Sequence, residues 1–308
     1  MTALPFPFPT RPEQLETPTW TQFLHEIFEA DESRMDLLQE AFGYCFFQDT
    51  SLETFFVFHG MGRNGKSTVL SVLRELLGER NVSSLSPEQL ADRFLVGQLY
   101  GKYANICADM NEIDSVQEGI LRAIVTGDLV TADRKYKDAM QFRSRAKLFF
   151  ATNVLPRFTD TTLATWRRMI LLPFDYICPL DKVDTHLFDK LQRELSGIFL
   201  WALQGTLRLR DNRRFSASDR CGAAARKYRL SCFPILMFLE ECTVSEGTIA
   251  VGELWDAYKR WCTGCGLTKI KPMHVFADDV LRFEPRIQYQ RPKKEKEMTA
   301  RVPLYGIG

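Results

Sequence analysis

One stretch, from Thr54 to Val69, constrains what this chain can fold into more than any other. It reads TFFVFHGMGRNGKSTV, so an apolar run leads directly into a G-x-x-x-x-G-K-[ST] pattern that spans Gly60 to Ser67. From Ser67 to Leu77 the apolar residues recur at helical spacing. A phosphate-binding loop requires this order of strand, glycine-rich loop and helix, and the order disfavours a turn that binds nothing. The sequence therefore predicts a nucleotide-binding site.

The residues of this loop predict how a nucleoside triphosphate and Mg²⁺ are held. Glycines allow backbone N–H groups to turn toward phosphate oxygens, and the following helix directs its positive end at them. Lys66 is expected to reach the β- and γ-phosphates, and the Ser67 hydroxyl to bind Mg²⁺. The predicted cofactors are a nucleoside triphosphate and Mg²⁺. The predicted nucleotide-binding residues are Gly60, Met61, Gly62, Arg63, Asn64, Gly65, Lys66, Ser67 and Thr68.

Polar residues follow the next apolar strands and predict the rest of the site. The run 103–108 ends on Asp109, which we expect to hold Mg²⁺ from a strand adjacent to the loop. Glu112, or Asn111 in its place, is the candidate for orienting the attacking water, and an exposed acidic turn is the alternative for this segment. The run 147–151 leads to Asn153, whose amide can hydrogen-bond the γ-phosphate or the water.

Two arginines, Arg167 and Arg168, precede a fourth apolar strand that runs from Met169 to Phe174. Arginine before a strand can simply guard it against aggregation. Its planar, permanently charged side chain also suits an arginine finger, which stabilises the charge on the transferred phosphate. The sequence leaves both roles open.

A basic hairpin is predicted between residues 129 and 137. Its tip carries Lys135, Tyr136 and Lys137, with Arg134 beside them. Single-stranded nucleic acid is bound by such a combination, because the charges contact phosphates and the ring stacks on bases. A solvated hairpin tip is the alternative. Basic residues cluster around this segment, namely Arg134, Lys135, Lys137, Arg143, Arg145 and Lys147.

Composition and helical spacing predict the domain organisation. The net charge is only +1, yet residues 1–60 carry two basic and ten acidic side chains, so charge is segregated along the chain. We expect a proline-rich linker (1–19), an N-terminal helical segment (20–52), a P-loop ATPase core (53–178), a helical lid (179–232) and a winged-helix domain (233–308). The lid is expected to be one long helix over 184–209, and a shorter helix is expected over 87–94. A module that contacts protein rather than DNA is the alternative for the winged helix.

No apolar run is long enough to cross a membrane, and the N-terminus lacks the features of a signal peptide. The eight cysteines lie mostly in apolar segments, which is typical of a reducing compartment. Cys262 and Cys265 form an isolated C-x-x-C, for which a structural role is favoured over zinc. We therefore expect a cytoplasmic protein without a membrane partner.

Taken together, the motifs resemble those of the superfamily III helicases. They are G-x-G-R-N-G-K-S-T, a strand ending on an acid, T-G-D before a basic hairpin, A-T-N-x-x-P and W-R-R-x-x-x-x-P-F. The set is most similar to the helicase part of bacteriophage, plasmid and poxvirus primase–helicases, over about residues 19–229. One departure is Ala-Asp-Met-Asn-Glu at Asp109, where many relatives have two closely spaced acids.

The resemblance implies an α/β, AAA+-like P-loop ATPase that forms a hexameric ring on DNA. Lys66 and Ser67 would be the Walker A pair, Asp109 the Walker B acid, and Asn153 sensor 1. Arg168 would be the finger, with Arg167 as second choice. The hairpin lysines would track DNA.

The activity implied is ATP-driven movement 3′ to 5′ on single-stranded DNA, for replication of a phage or mobile element in a bacterial cell. The implied partners are single-stranded and forked DNA, further copies of the chain, and a primase or polymerase domain or partner. An ATP-switched initiator or loader without processive unwinding is the alternative. A small-molecule phosphotransferase is disfavoured, because it has no need of a basic hairpin.

Overall fold

Two compact units, residues 1–226 and 227–308, divide the chain. The computed structural model describes residues 5, 6, 8, 16–110, 117–156, 163–241, 247–284, 287–290 and 297–300. The candidates Asn111 and Glu112 lie outside these ranges. Helix α1 begins at Pro18, within the segment predicted as a linker.

A five-stranded parallel sheet forms the centre of the first unit. Its order is β2-β3-β6-β1-β7, and a separate antiparallel hairpin is formed by β4 and β5. Strands β1, β3 and β6 are almost entirely buried, which explains why they read as continuous apolar runs rather than alternating ones. The strands are β1 (Phe55–His59), β2 (Val82–Ser83), β3 (Ala104–Cys107), β4 (Leu129–Arg134), β5 (Lys137–Arg143), β6 (Lys147–Thr152) and β7 (Met169–Pro173).

Helices cover this sheet and carry the chain from strand to strand. The helices beginning in the first unit are α1 (Pro18–Ile27), α2 (Glu32–Tyr44), α3 (Lys66–Leu77), α4 (Pro87–Leu90), α5 (Glu118–Thr126), α6 (Leu163–Trp166), α7 (Leu187–Arg193), α8 (Leu195–Asn212) and α9 (Asp219–Cys232). Aromatic side chains contact one another at several places in the core between the sheet and the helices. Phe56 of β1 and Phe149 of β6 stack with ring centroids 4.8 Å apart, and Trp20 of α1 packs edge-on against Trp201 of α8.

The order of the strands corrects one prediction. The strand leading to Asp109 is not adjacent to the strand leading to the phosphate loop, because β6 lies between β3 and β1. Both β3 and β1 pair with β6 in parallel. The strand adjacent to β1 is therefore β6, which precedes Asn153, and Asp109 lies one strand further from the loop.

Two predicted helices differ from those in the structure. The helix expected over 87–94 starts with a capping box formed by Ser86 and Gln89 but ends at Leu90. The Asp92 carboxylate accepts hydrogen bonds from the backbone N–H groups of Phe94 and Leu95, which favours a turn over a further helical turn. The long helix expected over 184–209 is divided into α7 and α8 at Glu194.

The break at Glu194 ties the lid segment to the N-terminal helices. Its two carboxylate oxygens accept hydrogen bonds from the backbone N–H groups of Thr19 and Trp20, each at 2.9 Å. These N–H groups belong to the first turn of α1, where no intrahelical acceptor exists. A negative charge at this end of a helix also complements its dipole. Glu194 therefore caps α1 from a distant part of the chain.

One predicted member of the basic cluster, Lys147, is not on the surface. Its side chain is buried, and its ammonium donates to the backbone carbonyls of Phe47, Asp49 and Arg145 at 2.6–2.9 Å. Burial lowers the pKa of Lys147 to about 8. This lysine fixes the chain after α2 and adds no charge to a surface that could bind a polyanion.

The second unit contains three helices and a small antiparallel sheet. The helices are α10 (Pro234–Glu241), α11 (Val251–Gly264) and α12 (Met273–Phe283), all within the segment predicted as a winged-helix domain. Strands β9 (Ile287–Gln290) and β10 (Glu297–Ala300) form an antiparallel hairpin, and β8 (Gly247–Ala250) pairs with the other side of β10. Cys262 lies in the core while Cys265 is exposed, in keeping with a structural role.

Among the residues described, none forms a helix with the length and apolar character that crossing a membrane requires.

Candidate functional site

The predicted phosphate loop connects the carboxyl end of β1 to the start of α3. Gly65 takes a positive φ of +87°, and a Cβ there would lie 2.8 Å from Ile27 and 3.1 Å from Phe23 of α1. At Gly60, a Cβ would meet the Phe174 carbonyl oxygen at 2.2 Å. Close packing therefore requires glycine at both positions, and at Gly65 the left-handed backbone conformation requires it as well.

The Lys66 ammonium lies at the centre of the loop and is buried. It donates to the carbonyls of Gly60 (2.6 Å) and Met61 (3.3 Å), and to the side-chain oxygens of Asn64 and Asn153, each at 3.1 Å. Burial lowers the pKa of Lys66, and the negative charge of Asp109 opposes that shift. A cation held by neutral oxygens has no full counter-charge in contact, so a phosphate would bind it favourably.

Asn64 has a role that the motif did not predict. It is buried, its Oδ1 accepts from Lys66, and its Nδ2 donates to the Phe174 carbonyl at 3.1 Å. The side chain therefore joins the loop lysine to the end of β7. Nothing in the sequence indicated this contact, since position 64 is variable in the motif and Phe174 lies 110 residues away.

The remaining loop residues leave their polar groups accessible. Met61, Gly62, Arg63 and Ser67 are exposed, and Thr68 is half-buried at the first turn of α3. The Arg63 carbonyl accepts from the backbone N–H of Cys178, which holds the loop against the segment after β7. The Ser67 hydroxyl, the candidate Mg²⁺ ligand, is thus free to contact a ligand bound to the loop.

Asp109 lies at the same edge of the sheet as the loop. It follows β3, is exposed, and its backbone is positioned by a hydrogen bond from the neighbouring Met110 N–H to the Ala151 carbonyl of β6. Within the described ranges no group of three His, Cys, Asp or Glu side chains could hold a metal by itself. One hydroxyl and one carboxylate are what a protein supplies when nucleotide phosphates and water complete the Mg²⁺ shell.

Asn153 completes the part of the site that the structure brings together. It follows β6, is exposed, and contacts Lys66 directly. Lys66 and Asn153 therefore meet at the carboxyl ends of adjacent strands, with Asp109 at the same sheet edge. These positions were predicted from separate motifs, whereas Glu112 lies outside the described residues.

The two arginines lie at the opposite edge of the sheet. They precede β7, whose first residue pairs with Phe55 at the start of β1. Arg168 is buried, and its guanidinium donates to Glu53 (2.6 Å) and to the Ala164 carbonyl (2.7 Å). Arg167 is exposed. Five residues of strand span about 16 Å, so neither arginine is near the loop of its own chain.

The hairpin carries the predicted basic tip, away from the loop. Arg134, Lys135, Tyr136 and Lys137 are all exposed, and Tyr136 takes a positive φ of +61° in the turn. Apolar contacts at the base, through Val130, Ala132 and Phe142, hold the hairpin to the unit. The hairpin leads into the amino end of β6, so it leaves the sheet at the edge that carries the arginines.

A cavity of about 550 Å³ adjoins the phosphate loop and was not predicted. Its walls come from α1, from the loop itself and from the segment between β7 and α7. The spacing of hydrophobic residues in α1 indicated a helix but did not indicate that this helix lies beside the phosphate loop. Its lining includes Gln22, Phe23 and Glu26 of α1 and Tyr176 of the segment after β7.

Comparisons with known proteins relate the chain to viral proteins named as helicases. A family model described as "Family of unknown function (DUF5906)" matches residues 58–168, from β1 to the two arginines. A protein of Acanthamoeba polyphaga mimivirus named "Putative helicase L207/L206" is 28% identical over 167 residues, which are 49% of this chain and 16% of that protein. "Putative helicase 121R" of Invertebrate iridescent virus 3 is 20% identical over 240 residues, 66% of this chain and 26% of that protein.

Solved structures of the C-terminal region of NrS-1 share the fold. One matches 96% of this chain and 79% of its own with a TM-score of 0.61 at 13% identity. Another gives a TM-score of 0.57 at 12% identity with the same coverage. The comparisons support a viral helicase-like relationship, and the parallel-sheet core fits an α/β nucleotide-binding fold. The chain spans only a minor part of the two viral relatives.

Proposed function

We propose that this chain is an ATP-driven motor of the superfamily III helicase type, acting on single-stranded DNA. The observation that carries the proposal is the contact of Lys66 with Asn153, with Asp109 at the same edge of the sheet. Phosphoryl transfer from ATP needs a lysine in the phosphate loop, a carboxylate that binds Mg²⁺ and a polar group near the γ-phosphate. When Mg²⁺ is bound, it neutralises charge developing on the phosphates.

The same residues have distinct tasks in this proposal. The loop N–H groups and Lys66 bind the β- and γ-phosphates, and Lys66 exchanges its contact with Asn153 for phosphate oxygens. Ser67 and Asp109 hold Mg²⁺. Asn153 then orients water at the γ-phosphate without adding negative charge. A strand order with β6 between β3 and β1 supports an AAA+-like arrangement.

We place the arginine finger at Arg167 rather than at Arg168. Arg168 is paired internally with Glu53, so using it would leave that carboxylate without its partner. Arg167 is exposed at the edge remote from its own loop, so its guanidinium is accessible to a nucleotide bound by a neighbouring copy of the chain. A site completed from a neighbouring subunit requires an oligomer, and a hexameric ring is the form the resemblance implies.

The hairpin is proposed as the DNA-contacting element. Three basic side chains and the fully exposed ring of Tyr136 form a tip suited to phosphates and a stacked base. The hairpin and the two arginines lie at the same edge of the sheet. ATP hydrolysis assisted by Arg167 therefore moves the hairpin in this proposal, because both lie at this edge of the sheet. The three helices and sheet of the second unit support a winged helix.

Strand displacement on a forked DNA duplex tests this function against an initiator or loader. We expect ATP-dependent release of the displaced strand from a duplex with a 3′ single-stranded tail, and no release with Lys66→Ala. ATP-dependent opening confined to a few base pairs, without strand release, would favour a loader. Equal ATP hydrolysis by the wild type and Lys66→Ala would overturn the assignment of the site.

A further inference from the structure

The cavity beside the phosphate loop has a polar side formed by one face of α1. Gln22 and Phe23 lie four and three residues before Glu26, so both are on the same side of the helix as Glu26. Phe23 also lies close to Gly65, which fixes this face against the start of α3. The cavity therefore continues from the phosphate loop to polar groups on α1.

The Glu26 carboxylate is held in place across the cavity. The Tyr176 hydroxyl, from the segment after β7, donates to Glu26 Oε1 at 2.5 Å. The bond raises the pKa of Tyr176, because ionising the phenol would lose it and place two anions together. Among the described residues, this is the hydrogen bond that the Glu26 carboxylate accepts, and it leaves Oε2 available to a ligand.

The walls and this free oxygen suit the base of a nucleotide. A volume of about 550 Å³ is in the range of small-ligand sites. The Phe23 ring and the Tyr176 ring supply apolar surface, and Glu26 supplies an acceptor. A carboxylate accepts hydrogen bonds only, so it favours a base that presents an amino group there.

We infer that Glu26, positioned by Tyr176, accepts a hydrogen bond from the 6-amino group of adenine and makes this cavity the base-binding part of the site. The inference rests on the proposed ATP site, since the phosphates must lie in the loop for the base to reach α1. It assigns nucleotide selectivity to residues outside the phosphate loop.

Competition binding with two nucleotides that differ only in the amino group tests the inference. ATP and purine riboside triphosphate, each with Mg²⁺, would displace a fluorescent ATP analogue from the whole chain. We expect wild type to bind ATP about tenfold more tightly, as a hydrogen bond to a charged group allows. Glu26→Ala should abolish this preference, and Glu26→Gln, which keeps an acceptor, should retain part of it.

Two further variants separate positioning from folding. Tyr176→Phe keeps the carboxylate but frees it, so the preference for ATP should fall while binding of both nucleotides persists. His25→Ala changes an exposed neighbour on α1 that does not line this cavity, and it should match wild type. If wild type binds neither nucleotide, the proposed function fails. If wild type binds both equally, or Glu26→Ala keeps the preference, the inference fails while the ATP site stands.

Discussion

At the scale of single residues, the space around each glycine of the phosphate loop shows whether a larger side chain could replace it. Gly65 is in the left-handed region and has α1 side chains where a Cβ would be, whereas Gly62 has open space around it. Both are glycines of one motif, yet only one is fixed by its surroundings. The motif predicted the chemistry of the loop, and the contacts show which positions the fold itself requires.

Gly65→Ala should therefore destabilise the protein far more than Gly62→Ala. The left-handed backbone alone costs a non-glycine residue about 1–3 kcal/mol, and contact with Ile27 and Phe23 adds to it. Gly62→Ala should change the free energy of unfolding by less than about 0.5 kcal/mol. Denaturant unfolding of the two variants measures the difference. Equal effects would show that α1 does not pack on the loop as described.

Sequence motifs predicted Lys66, Asp109 and Asn153 as site residues because each follows a recognisable apolar strand. The contact of Asn64 with the Phe174 carbonyl was beyond such reasoning, since it depends on how two distant segments meet. The internal pairing of Arg168 with Glu53 was likewise invisible. Adjacent arginines look equivalent in a sequence, and only burial distinguishes them.

At the scale of elements, Glu194 couples the lid segment to α1. Helical periodicity continues through residue 194, so the sequence predicted one helix where the structure has two. The break frees a carboxylate to cap the first turn of α1, about 175 residues away in the chain. Capping by a remote residue leaves no local signal, which is why periodicity alone could not reveal it.

Removing this cap should weaken both the fold and the nucleotide site. We expect Glu194→Ala to lower the free energy of unfolding by about 0.5–2 kcal/mol, the usual range for loss of a helix cap. Nucleotide affinity should fall as well, because α1 forms one wall of the cavity. Arg193→Ala, an exposed change at the neighbouring position, is the matched control. Loss of stability with unchanged nucleotide affinity would separate α1 from the site.

The hairpin is the element on which the proposed DNA contact depends. Replacing Lys135 and Lys137 by Ala removes two exposed charges from its tip. The slope of log affinity for single-stranded DNA against log salt should become shallower by about 0.7 per lysine. Arg210→Ala removes an exposed charge from α8 and should leave the slope unchanged. An unaltered slope in the double variant would mean that the tip is a solvated turn.

At the scale of the whole molecule, the sheet order decides which motifs can act together. The sequence predicted the strands but placed the Asp109 strand next to the loop, because strand order depends on crossovers that leave no mark on composition. Because β6 lies between β3 and β1, Asn153 at the end of β6 contacts Lys66, and Asp109 at the end of β3 lies one strand further from the loop. Arg167 precedes β7 and so lies at the opposite edge, and under the proposed function the site within one chain lacks this arginine and is incomplete.

An incomplete site predicts complementation between two inactive variants. Arg167→Ala should bind ATP normally but hydrolyse it at least about 100-fold more slowly, as loss of a finger does. Mixing it with Lys66→Ala should restore activity, because some interfaces then combine an intact loop with an intact Arg167. Activity that stays at the sum of the separate variants would place the arginine's role within its own subunit.

Single-stranded DNA stimulation of ATP hydrolysis tests the central claim most directly. The steady-state rate would be measured for wild type, Lys66→Ala and the hairpin double variant, with and without DNA. The account predicts that DNA accelerates the wild type, that Lys66→Ala is inactive in both conditions, and that the hairpin variant keeps its basal rate but loses stimulation. A wild-type rate that DNA does not change would contradict a nucleotide site coupled to the hairpin.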